Sequence, residues 1–463
     1  MRRRIAWDRF DHIDPTWQLD ETSRVAVIGG GPAGSFSAIF LLDLARRAGF
    51  EIGVDVFEPR SFDRSGPAGC NHCGGIVSES LVQSLAAEGI NLPPSVVQRG
   101  IESYLLHMDL GSVEIGSPVS EQRIAAVYRG NGPRGGEDMP WDSFDGFLQG
   151  IAEKRGATIV RELVTGIDRT GERPILHTIG GPTAAYDLVV LASGVNSNLL
   201  GSVLDGHDGG RVATSRTYIS ELRSDAETIH SRMGNSMHVF MVDVPGVEFA
   251  ALVPKGDYIT FAMLGHDIDT DLVDRFLTEP PVRRALPFEW IPSVCSCTPL
   301  INLRGPRQPY GDRFVMVGDA GVTRLYKDGI GAAHRTAHAM ASAAVVYGVS
   351  SNDFAEHYGP VCDEIGRDNR YGKVLFAFTW LFRKLPFLRR AVLRMVASEQ
   401  RRGRGAGGMS EVLWNLFTGS APYREVFWTS VRPTFLARLA GHVLLSLVPG
   451  RAERRRRRAE AQG

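Results

Sequence analysis

The sequence predicts an α/β protein in which a Rossmann-type dinucleotide-binding domain is followed by a C-terminal helical region. Near the N-terminus, a glycine-rich turn at 29–34 separates a short apolar run from a helical one. Two later apolar runs, at 186–194 and 313–321, also end in small residues, as buried parallel strands beside a ligand do. From about residue 351 aromatic and aliphatic side chains recur among arginines at helical spacing. The chain has 463 residues, 43% hydrophobic and 22% charged. Those values suit a globular protein of about two to four domains and exclude disordered, collagen-like and disulfide-dense architectures.

Residues 24–28 (Arg-Val-Ala-Val-Ile) read as a buried strand. Residues 35–48 read as a helix with Phe36, Ile39, Phe40, Leu42 and Leu44 as its apolar positions, and 53–57 as a second strand running into Glu58. The turn carries G-x-G-x-x-G at Gly29, Gly31 and Gly34, with Ala33 inside it. Gly29 permits the tight turn, Gly31 lets a pyrophosphate approach the backbone, and Gly34 lets helix and strand pack closely. The helix N-terminus offers free N–H groups and a positive dipole end to phosphates. Glu58, 24 residues beyond Gly34, is spaced to accept the ribose hydroxyls.

The strand at 186–194 ends in Gly194, and the strand at 313–321 ends in Gly318-Asp319-Ala320-Gly321, with a helix expected over about 328–344. In this order the three segments resemble the fingerprints of the glutathione-reductase-type FAD proteins. That resemblance implies an FAD cofactor whose ribityl chain is held by Asp319. It also implies that Gly329, Ile330 and Gly331, where the helix begins, border the flavin ring. A second glycine motif after a strand is absent, so no separate nicotinamide domain is expected. NAD(P)H or a reduced protein donor would supply electrons.

Two further segments resemble the geranylgeranyl reductases. Cys70-Asn-His-Cys73-Gly74-Gly75 is similar to that family's Cys-Gly-Gly element, and residues 249–257 (Phe-Ala-Ala-Leu-Val-Pro-Lys-Gly-Asp) to its Pro-Lys-Gly-Asp hairpin. The resemblance covers about residues 23–350 and implies a para-hydroxybenzoate hydroxylase-like architecture. Residues 23–100, 141–205 and 305–350 would form a discontinuous FAD domain. Residues 101–140 and 206–304 would form an inserted antiparallel β substrate domain. An extension, 1–22, precedes them, and a helical, basic region, 351–463, follows. The implied activity is FAD-dependent reduction of double bonds in a hydrophobic, polyprenyl-type substrate by hydride from flavin N5. Cys73 would lie near the reacting carbon.

The chain departs from the family pattern at 322–331, where Lys327-Asp328 stands in place of a lone acid. Other flavoprotein activities therefore compete. The hydroxylases' histidine after Gly-Asp is replaced by Val322-Thr323, and the halogenases' two-tryptophan motif is reduced to Trp290-Ile291-Pro292. A monooxygenase and a membrane-associated electron-transfer flavoprotein to quinone remain as alternatives.

The pairs Cys70/Cys73 and Cys295/Cys297 leave three readings open: a redox disulfide, a four-thiolate metal or Fe–S centre, or small apolar filler. His334 and His338, four apart on one helix face, read as packing residues. Residues 381–463 carry 17 Lys and Arg against 5 Asp and Glu, a net +12, so the first 380 residues, with 35 against 47, carry −12. An acidic body with a basic apolar end predicts peripheral membrane contact through 371–463 on the cytoplasmic face and no nucleic-acid partner. No apolar run approaches the length of a spanning helix, and the basic start lacks the apolar stretch of an export signal.

Overall fold

A computed structural model describes residues 15–64, 74–118, 123–133, 142–205, 210–286, 295–403 and 407–447. A six-stranded sheet is built in the order Tyr310–Gly311, Phe314–Met316, Leu188–Leu191, Arg24–Ile28, Gly53–Phe57, Thr158–Val160. All its neighbours are parallel except the first pair. Alternation along the central strand decides its packing. Val25 and Val27 face the helices Pro32–Ala48 and Gly329–Val346, while Ala26 and Ile28 face Leu176, Tyr186 and Leu199. Burial on both faces explains why these strands read as unbroken apolar runs.

A second sheet of eight strands is largely antiparallel. One pair is parallel: Ser103–Met108 with Ser236–Phe240. The chain between those strands passes through all the other sheets, so the pair is not hairpin-linked and antiparallel geometry is not imposed. One face of this sheet, with Phe240, Leu252, Ile259 and Phe261, is covered by the helices Ala226–Met233, Thr270–Thr278 and Pro280–Ala285. The other face carries Tyr104, Leu106, Met237, Val239, Ala251 and Val253.

The C-terminal helices cover that second face through Val392, Met395, Leu413, Trp414 and Phe417. They span Gly359–Lys384, Pro386–Arg401, Met409–Thr418, Tyr423–Ser430 and Pro433–Leu447. Trp414 is 1% exposed and its Nε1 donates to Glu79 Oε1 at 2.7 Å. The region is helical as the sequence predicts, but it is core rather than appendage, and several of its cations turn inward. Arg383 donates to the Val247 and Glu248 carbonyls and Arg389 pairs with Asp109, while Lys384 pairs with Asp243 at the surface at 2.7 Å. The run Arg454–Arg458 lies outside the described residues. Among the described residues no helix is long and apolar enough to cross a membrane.

Candidate flavin site

The glycine turn leads from Arg24–Ile28 into the helix Pro32–Ala48, with Pro32 in its first turn. Gly29 has φ +104°, a region open to glycine and closed to bulky residues. A Cβ on Gly34 would fall 1.8 Å from the Gly29 carbonyl oxygen, so helix and turn touch through backbone alone. Glu58 is 3% exposed at the end of the neighbouring strand. Its Oε2 accepts from the Gly30 N–H at 3.0 Å, and its Oε1 from Arg60 Nε at 3.0 Å. The carboxylate is therefore fixed against the turn.

A cavity of about 850 Å³ opens from this turn. Of the residues expected at a cofactor, Gly29, Gly31, Ala33, Glu58, Gly194, Asp319, Gly329 and Ile330 line it. Gly34, Gly318 and Gly331 do not; they stand behind the wall, at close-packed positions. A Cβ on Gly318 would lie 2.8 Å from that of Ala33, and one on Gly331 2.2 Å from Asp328 Oδ1. Gly331, also expected at the flavin ring, is not among the residues that line the cavity, whereas Gly329, Ile330 and Ala333 of the same helix are. Asp319 sits in a short turn whose carbonyl accepts from Asn302 Nδ2 at 2.9 Å. Its Oδ1 lies 3.7 Å from where a Gly329 Cβ would be, so the acid and the helix start converge.

Sequence reasoning missed Arg129. Its guanidinium forms a fork with Asp145, Nε to Oδ1 at 3.0 Å and Nη2 to Oδ2 at 2.8 Å, and Asp145 is fully buried. Nη2 comes within 3.0 Å of the position a Gly31 Cβ would take, which puts a positive group beside the dipole end of the helix. Arg129 and its partner lie in separate elements 16 residues apart, and no local pattern links them. Phe417 and Thr418 of the helix Met409–Thr418 also reach the cavity wall, from far outside the fingerprints.

The far side of the cavity is apolar, with Met237, Phe249, Val253, Leu264 and Phe417. The hairpin Lys255 is fully buried: Nζ donates to the Gly74 carbonyl at 2.8 Å and sits 4.7 Å from the Tyr128 ring centroid. Burial pushes the nearby Glu221 carboxyl up, against the opposing pull of Lys255 and Thr260. Lys255 thus ties the two segments that resemble the geranylgeranyl reductases to each other.

Cys70, Cys73 and Trp290 lie outside the described residues, so the role of Cys73 and the four-sulfur cluster rest where the sequence left them. Cys295 and Cys297 occupy alternate positions of the edge strand Cys295–Cys297, opposite Glu221 and Ile219. Among the described residues no group of three or more His, Cys, Asp or Glu is arranged to hold a metal ion. His334 packs edge-on against Phe36 and Phe40, and His338 against Phe40, as packing residues do.

The residues present fit FAD. The turn and helix end suit a pyrophosphate, Arg129 adds charge, Glu58 suits ribose and Asp319 a polyol. Two cavity-lining hydroxyls, Ser193 Oγ and Thr323 Oγ1, are buried without a hydrogen-bond partner among the described residues, as groups awaiting a ligand would be.

No family model matches the chain. It is 29% identical over 189 residues to the geranylgeranyl diphosphate reductase of Synechocystis; the aligned stretch covers 38% of this chain and 40% of that protein. Among solved structures it is similar to a geranylgeranyl bacteriochlorophyll reductase-like protein from Thermoplasma acidophilum, at TM-score 0.61 and 16% identity, over 82% of this chain and 92% of the other. A flavin-dependent brominase shares the fold at TM-score 0.55 and 14% identity, over 95% and 98% of the two chains. The fold is thus one shared with flavoproteins, and the cradle suits FAD. In sequence the chain is similar to geranylgeranyl diphosphate reductases, at 29% and 26% identity over about two fifths of its length. It spans about two fifths of the length of the curated relative it matches.

Proposed function

We propose that this flavoprotein saturates carbon–carbon double bonds of a long hydrophobic substrate of isoprenoid type. The observation that carries the reading is the continuity of one cavity, which runs from the dinucleotide cradle at Gly29, Gly31 and Glu58 to an apolar wall of Met237, Phe249, Val253, Leu264 and Phe417. Reduced FAD, when bound, would supply hydride to one alkene carbon, and a proton from water or a positioned acid would go to the other, so that each reduced bond gains two hydrogens. The chain's own part is positional. Arg129 and the helix end would hold the phosphates, Asp319 the polyol chain, and the apolar wall would exclude water and align the chain of the substrate. Electrons would come from NAD(P)H or from a reduced protein donor.

Peripheral membrane contact belongs to the same proposal. Phe378, Trp380 and Leu381 on the helix Gly359–Lys384 are 50%, 54% and 38% exposed, and Trp428 is 53% exposed. Exposed aromatics of this kind suit the boundary between water and acyl chains. The test is to load the protein with FAD, reduce it with dithionite in the absence of oxygen, add geranylgeranyl-bearing lipids and follow mass. A gain of two hydrogens per reduced bond is expected. Hydroxylated product on admitting oxygen, with no hydrogenated one, would overturn the reductase reading in favour of a monooxygenase.

A further inference from the structure

The loop between Asp319 and the helix Gly329–Val346 holds two non-glycine residues in the left-handed region, Tyr326 at φ +62° and Asp328 at φ +58°. Such backbone persists only where the surroundings over-determine it. Here they do. The Leu325 N–H donates to Asn369 Oδ1 at 2.9 Å, and the Tyr326 ring stands edge-on to Phe376 with centroids 4.9 Å apart. Asp328 lies 3.6 Å from both Arg324 and Arg335 and accepts from Ser78 Oγ at 3.4 Å.

Between these two residues Lys327 enters the cavity wall, with Nζ 3.6 Å from the Phe249 ring centroid. The adjacent carboxylate, Asp328, is turned to the two arginines, and among the described residues no acid pairs with Lys327. Burial alone pushes the ammonium down to about 7. The aromatic face compensates part of the lost hydration, and an anion would compensate the rest.

Phe249, Leu264, Tyr326 and Phe417 line this cavity and also a second chamber of about 580 Å³, walled by Phe376, Ala377, Trp380 and Leu416. Lys327 therefore stands beside the wall common to two apolar spaces. We propose that Lys327 anchors the head group of the substrate, and that this head group is a carboxylate whose long apolar chain passes Phe249 and Phe417 into the second chamber. The proposal rests on the reductase reading for taking the larger cavity as the reaction site. One unpaired ammonium in an apolar throat balances one negative charge; a diphosphate would bring further charges with nothing at the throat to pair them. Arg324, which also lines the cavity, is 2% exposed at its side chain and engaged by Asp328, Asp368 and the carbonyls of Gly419 and Ala421.

The test titrates a fluorescent conjugated C18 carboxylic acid, and its methyl ester, into the FAD-loaded full chain. The acid is expected to bind about tenfold tighter than the ester or more, as a desolvated charge pair allows. Lys327→Met should bring the acid to the affinity of the ester, and Lys327→Arg should retain a preference. If Lys327→Met fails to keep flavin, Lys327→Gln is read in its place. Arg304 and Lys373 line the second chamber and would hold the head group if the chain entered the other way. A double substitution, Arg304→Ala with Lys373→Ala, should leave the preference intact. Equal affinity of acid and ester in the unmodified protein overturns the proposal, and so does a preference that survives Lys327→Met or disappears in the double variant. Binding is read without turnover. An acid preference with no hydrogenated product from any lipid would sink the reductase reading alone.

Discussion

Single residues at the cradle differ in what a side chain would meet. At Gly34 a Cβ would fall 1.8 Å from a backbone oxygen, which cannot swing aside. Gly34→Ala should therefore destabilise the protein by about 3 kcal/mol or more and lose flavin, read from the urea midpoint and the visible spectrum. Thr323 gives the opposite signature. Its buried hydroxyl has no partner among the described residues, and such an orphan costs about 1–3 kcal/mol. Thr323→Val should leave the FAD-free protein as stable or more stable, while weakening FAD. A loss of stability without flavin would show that the hydroxyl is satisfied internally. The motif glycines were legible from spacing because local chain geometry dictates them. Arg129 was not, because its meaning comes from Asp145 and Gly31, which the fold brings beside it.

At the scale of elements, the C-terminal helices grip the loop that carries Lys327. Asn369 accepts from the Leu325 N–H at 2.9 Å and donates to the Thr323 carbonyl at 2.9 Å, while Tyr423 donates to the Leu325 carbonyl and Arg324 to those of Gly419 and Ala421. The sequence suggests a chain that can be cut near Gly408 without harm to FAD, since every fingerprint ends earlier. The packing contradicts it: the helix Met409–Thr418 buries Trp414 and supplies Phe417 to the cavity. Truncation there should yield protein that aggregates or binds dye that reports exposed apolar surface. A milder probe is Asn369→Ala. It strands two buried backbone groups and should cost about 2–4 kcal/mol, together with a change in visible-region circular dichroism of bound flavin. Helical periodicity announced these helices. It could not say that their apolar faces answer sheet residues between Tyr104 and Val253, far earlier in the chain, because amphipathicity records that a face is buried and not by what.

For the whole molecule, pH and surface are the informative variables. His107, His238 and His334 are 6%, 4% and 9% exposed. Burial lowers them to about 4, about 3 and about 4. The unfolded chain takes up these protons near pH 6.5 while the native one resists, so stability is fully present above about 6.5 and falls as pH drops towards 4. A loss on the order of a few kcal/mol across that window is expected from urea titrations. His238→Phe should flatten the slope; an unchanged slope would show that other groups set it. On anionic vesicles, polar substitution of Phe378, Trp380 and Trp428 should release the protein without loss of flavin. Retention at high salt by those variants would show that the exposed aromatics are not the contact.

The dinucleotide unit, the order of the three fingerprints and the helical end of this protein were determined by sequence alone. Each depends on short-range geometry: glycine where backbones touch, apolar runs where a strand is covered on both faces, and a period of 3.6 where a helix has one buried side. Tertiary structure decided what those pieces build together. It set Arg129 beside Gly31 and Phe417 in the cavity wall, and it turned Arg383 and Arg389 inward although the sequence placed them in a basic end expected at a membrane surface. It also turned Asp328 to two arginines and left Lys327 to the cavity. The physical reason is common to all of these: a charge or ring is defined energetically by the atoms that replace its water, and in this chain those atoms come from elements far away in sequence.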